Sequence, residues 1–131
     1  AKDFFYNHRK KINSAVNSDL LISYSTYEDI TSNESLYLPA LEVFHLNDIP
    51  EGMCAEKIKA HKYGVFKYIG SHSADTITLK ILDNIYKHTL AWLLKSQYVQ
   101  DGSFHFEVID SSLSRADYCE VDIYIPIKAK A

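Results

Sequence analysis

The sequence predicts an α+β domain of two related β-α-β-β halves with antiparallel sheets, the first half without its leading strand. Three observations predict it. Residues 119–128 alternate strictly, with Val121, Ile123, Ile125 and Ile127 on one face and Glu120, Asp122 and Tyr124 on the other. Residues 104–109 alternate in the same way, setting Phe104, Phe106 and Val108 against His105, Glu107 and Ile109. The second half then reads strand, helix, strand, strand, and the first reads helix, strand, strand. The halves are residues 1–56 and 57–131 of one domain.

In chain order, Phe4, Phe5, His8, Ile12 and Val16 recur at helical spacing over 3–17, and Asn17-Ser18 closes that segment. Residues 20–24 are a strand, and the polar run 28–35 is a loop. A second strand covers 37–45 and is interrupted near Pro39. Residues 47–53 carry the turn chemistry Asp48-Ile49-Pro50-Glu51-Gly52. A third strand covers 63–69. A long helix runs from 74 to about 95, capped by Ser73 or Asp75. Residues 100–103 turn the chain into its two last strands, with a polar link at 110–118.

The composition narrows the function. A length of 131 residues with 47% hydrophobic content fits one compact domain. A net charge of −3 argues against a nucleic-acid surface, and the one dense basic run, His8-Arg9-Lys10-Lys11, reads as a solvated helix face. No apolar run is long enough to span a membrane, and the start has no signal-peptide pattern. Cys54 and Cys119 lie far apart without a CxxC, which points to a reducing, cytoplasmic setting. The six histidines show no zinc-helix spacing, so neither a metal nor a cofactor is expected. His105 and Glu107 share a strand face, two apart. They read as a polar sheet face or as an acid–base pair.

Two strands that set acids and rings opposite an apolar face suggest a lined cavity. The long helix has a wide apolar arc: Ile77, Ile81, Ile85 and Trp92 on one stripe, and Leu82, Tyr86, Leu90 and Leu93 on the next. That breadth fits either a helix packed on two sides, one of them a homodimer contact, or a helix that packs on the sheet and walls a pocket. Ten tyrosines supply rings with polar tips, useful in strands and in ligand sites alike.

Six segments in register resemble the effector-binding, or gyrase-inhibitor-like, domain of AraC-type and MerR-type bacterial regulators. They are residues 46–53, 60–66, Gly70, Trp92-Leu93, Phe106-Glu107-Val108 and 121–128. The resemblance implies two pseudo-symmetric units about a central groove, and a site for amphipathic, often aromatic and cationic, small molecules. It implies a sensor half whose DNA-binding domain is a separate N-terminal unit. Glu107 matches the family's charge-recognising acid, with Asp122 a further acid. Tyr124, Tyr86, Trp92 and Tyr24 are candidate ring contacts. Leu94 and Gln97 depart from the family pattern after the Trp-Leu pair.

The physics of such a site is general. A carboxylate in an apolar cavity is poorly solvated and either binds a proton or takes a cation. Each aromatic face adds roughly 0.5–2 kcal/mol by cation–π attraction. Rings and one charge recognise a class of molecules rather than one. The reading is therefore a binder, not an enzyme. The alternatives are a weak hydrolase using Glu107 in the same groove and a protein-binding inhibitor module.

Overall fold

The computed structural model describes residues 4–29, 35–47, 49–58 and 60–131. Its elements are β1 (Leu20–Thr26), β2 (Leu36–Ala40), β3 (Tyr63–Gly70), α1 (Leu79–Lys95), β4 (Tyr98–Gln100), β5 (Phe104–Asp110) and β6 (Cys119–Ala129). All pairings are antiparallel, and the strands lie in the order β2-β1-β5-β6-β3, with β4 paired to the end of β6. The result is an α+β domain with a six-stranded sheet and, among the described residues, a single α-helix.

Strand β6 is the spine. It pairs with β3, β5 and β4, and its alternating Val121, Ile123 and Ile125 are fully buried. They pack against Leu82, Ile85 and Leu93 of α1. With Ile127, the three strand residues make four aligned branched side chains on one pleat face that fit a helix stripe at i, i+3 and i+4 spacing, so the core forms where the two periods meet. Pro39 sits in the edge strand β2, where its missing N–H deprives no ladder interior.

Three expectations are corrected. Residues 4–11 form a π-helical turn and a 3-10 turn rather than the front of an α-helix over 3–17. The backbone explains it. Ser14 accepts from the Phe44 amide at 2.9 Å and Val16 donates to Glu42 at 2.9 Å, so this stretch pairs with 42–44 instead of coiling. The second strand ends at Ala40, not His45. The long helix is split: Ala74–Thr76 is a 3-10 turn capped by Ser73, and α1 starts only after Thr78, whose hydroxyl accepts from the Ile81 amide at 3.2 Å. Residues 30–34 of the expected polar loop and Asp48 of the expected turn lie outside the described residues.

Replacing Ile123, which has no exposed surface, by Ala removes the centre of this core. The expected loss in urea unfolding is about 2–5 kcal/mol.

Candidate functional site

The sheet register decides which face each candidate occupies. Glu107 pairs with Ile123 of β6 and with Ser23 of β1, so it lies on the face covered by α1. Tyr124 pairs with Phe106 and lies on the opposite face. The grouping of Glu107 with the acid-bearing face of the last strand is therefore corrected. Alternation within β5 alone separates two faces, but only its partners say which face is covered.

Glu107 is 2% exposed. Its Oε1 lies 3.2 Å from His105 Nε2, and its Oε2 is buried without a hydrogen-bond partner among the described residues. The His105 ring stacks flat on Tyr86 of α1, with centroids 4.0 Å apart and planes at 10°. Tyr86 donates its hydroxyl hydrogen to Gln100 Oε1 at 2.9 Å. Gln100 Nε2 donates to the Gly102 carbonyl at 3.0 Å and to the Tyr27 hydroxyl. The Tyr27 and Tyr86 hydroxyls are 3.1 Å apart. Nearby, Ser23 and Tyr37 share a hydrogen bond of 2.8 Å.

Burial pushes the Tyr27 phenol far up, helped by its bond to Tyr86 and by the charge of Glu107. Burial also raises Tyr37; Ser23 works against that and Glu107 adds to it. Both phenols therefore stay protonated through neutral pH. The site is a carboxylate boxed by polar-tipped rings, with one oxygen engaged and one not.

The other sheet face carries an aromatic floor. Phe106 and Tyr124 stack at 4.8 Å and 7°, and Tyr63 meets both edge-on at 5.6 and 6.2 Å. Tyr24, Tyr63 and Phe106 line an open groove of about 980 Å³, whose far wall is built from residues between 38 and 58. Burial, with Glu56 nearby, raises the Tyr24 phenol. Asp122 on this face is engaged by Lys67 at 3.3 Å, and Glu120 lies 3.6 Å from the same ammonium.

Trp92 occupies a third place. It meets Phe66 edge-on at 5.3 Å and borders a cleft of about 540 Å³ between α1 and β3. Of the sequence-derived candidates, the fold links Glu107 to Tyr86 through His105, and sets Tyr24, Tyr124 and Asp122 on the opposite sheet face, where Asp122 is held by Lys67. It leaves Trp92 apart from both groups. Tyr27, Tyr37 and Gln100 were not foreseen, whereas the meeting of His105 with Glu107 was one of the two readings of that strand face. Only the two-residue spacing of His105 and Glu107 signalled any of this.

A family model described as Cass2, integron-associated effector binding protein, matches residues 2–127. The chain belongs to this effector-binding family. The family is related to the gyrase-inhibitor-like fold, in line with the resemblance drawn from the segments above. No curated protein matches the chain. Among the described residues, no helix is long and apolar enough to cross a membrane, and no group of three or more His, Cys, Asp or Glu is placed to hold a metal ion.

A half-engaged buried carboxylate is a burden on the fold. Glu107→Met, an apolar side chain of similar reach, is expected to raise the unfolding free energy by about 1 kcal/mol at pH 8 in urea titrations. A loss above about 2 kcal/mol would mean that the carboxylate serves the fold instead.

Proposed function

We propose that this domain binds a small amphipathic effector carrying positive charge, with Glu107 as the group that recognises the charge. One observation carries the reading: a carboxylate oxygen buried away from water has no partner among the described residues. Such an atom is tolerated where a ligand completes its bonding. The rings around it supply faces for a delocalised cation and hydroxyls for a polar edge. Tyr86, half-buried on α1, is the side chain a guest displaces on entry.

In this proposal the domain senses its effector in the cytoplasm, either as part of a transcription regulator whose DNA-binding unit is separate or as a stand-alone binder. The two-unit architecture, with a central groove at the β1–β5 junction, belongs to the same reading. It is supported by the meeting of the two halves there, where Ser23 lies opposite Glu107.

The contact between Glu107 and His105 favours one second reading, hydrolysis of a small electrophile by an acid–imidazole pair. That reading requires turnover, which a binder does not show.

A thermal-shift screen with tetraphenylphosphonium and rhodamine 6G tests the proposal. At about 100 times Kd a ligand adds about 2.7 kcal/mol of stability, a rise of several degrees in Tm. The expected result is a rise in the wild type that Glu107→Gln abolishes. A rise that survives Glu107→Gln but is lost on Tyr24→Ala would assign binding to the open groove on the far face. No rise with any cation overturns the proposal.

A further inference from the structure

The hydrogen bonds around His105 fix which groups can donate to its ring. The Gln100 amide nitrogen faces the Gly102 carbonyl, which fixes its oxygen toward Tyr86. The single hydroxyl hydrogen of Tyr86 is then committed to Gln100. The bond between Tyr86 and Tyr27 must in consequence use the hydrogen of Tyr27. Tyr27 therefore offers only a lone pair to His105 Nδ1, 3.5 Å away. On the other side of the ring, Nε2 faces Glu107 Oε1 at 3.2 Å. Both ring nitrogens thus lie beside oxygens that can accept, a setting suited to a ring that carries a proton on each.

The remaining surroundings agree. The Tyr86 ring lies flat against the imidazole at 4.0 Å, the place a cation takes on an aromatic face. Tyr27 adds a second ring at 5.8 Å. Ser25 of β1, uncharged, is the cross-strand neighbour of His105. Tyr37 of β2, paired in turn with Ser25, stays a neutral phenol. Among the described residues no lysine or arginine forms an ion pair with Glu107; its one ionic partner is His105.

We propose that His105 is a built-in rival of the effector: in its protonated form it holds Glu107 as an internal cation, and an external cation binds by displacing that charge. The inference rests on the proposed role of Glu107 and specifies how the site is regulated. With the ring protonated, Glu107 is engaged and a cationic guest meets competition; with the ring neutral, the carboxylate is left to the guest. Affinity for a permanent cation rises with pH, and binding at acidic pH expels a proton from the ring.

Isothermal titration calorimetry with tetraphenylphosphonium chloride, which does not itself titrate, reads both effects between pH 5.5 and 8.5. The wild type is expected to bind about tenfold more weakly at pH 5.5 than at pH 8 and, in buffers of different ionisation enthalpy, to release a proton as the cation binds at the acidic end. His105→Gln should show a profile flat to within about twofold and no proton release. Nitrogen-15 spectra of the wild-type ring provide a check that needs no variant: saturating cation at pH 6 should convert His105 from the doubly protonated to a neutral form. A flat wild-type profile overturns the inference and leaves the binding reading standing. Equal slopes in wild type and His105→Gln overturn it too, because Glu107's own protonation would then account for the pH effect. Absence of binding at every pH removes the binding reading and the inference together.

Discussion

The structure turns on one buried carboxylate and the question of what neutralises it. Glu107 sits near the middle of the sheet, between β1 and β6, on the face that α1 covers. Removing a charge from water is expensive, and proteins accept it only with a partner in place. Here the partner is an imidazole two residues away on the same strand, held flat by a tyrosine from the helix. The tyrosine is in turn tied through Gln100 to the last short strand pair and through Tyr27 to the end of β1. Four separate segments are thereby committed to positioning one charge. A surface acid has no need of such a frame.

The two sheet faces divide the work. The face under α1 is a conventional core at β6, where Val121, Ile123 and Ile125 meet Leu82 and Ile85. Moving across to β5 and β1, the same face changes from aliphatic to polar: His105, Glu107, Ser23 and Ser25 are all buried. Helix α1 straddles that boundary, with Ile81 and Trp92 toward β3 and Tyr86 toward β5. The breadth of its apolar arc follows from this position. One flank packs on Phe66 and the other closes the carboxylate box. The opposite sheet face carries stacked rings and the Lys67 ion pairs, and its open groove is separated from Glu107 by the thickness of the sheet.

Much of the fold was legible because its signals are local. The alternation of 119–128 marked β6, and the recurrence of Leu82, Tyr86, Leu90 and Leu93 beside Ile77, Ile81 and Ile85 marked α1. The errors arose where local and distant demands compete. Residues 4–16 carry helical spacing, yet the amides near Val16 find partners at 42–44 and the helix gives way. Thr78 caps α1 four residues inside the expected start because its hydroxyl satisfies an amide that Ser73 is too far away to reach. Glu107 stood out in the sequence as an acid within an alternating strand, but its face did not, since register is a property of pairs of strands. Tyr27 and Gln100 carry no local signal: 73 residues separate them, and only the folded chain brings them to His105. A sequence reading that placed Glu107, Tyr124 and Tyr24 in one site joined residues that the sheet keeps on opposite sides.

The side chain at 107 is shut away from water, and its environment is expected to change when a cation arrives. Carbon-13 spectra of protein labelled at glutamate side-chain carboxyls report this directly. The account predicts one carboxyl resonance, identified as Glu107 by its loss in Glu107→Gln, set apart from those of the exposed glutamates and moved by saturating tetraphenylphosphonium at pH 8. A Glu107 resonance that coincides with the exposed set and stays unmoved at saturation would contradict it.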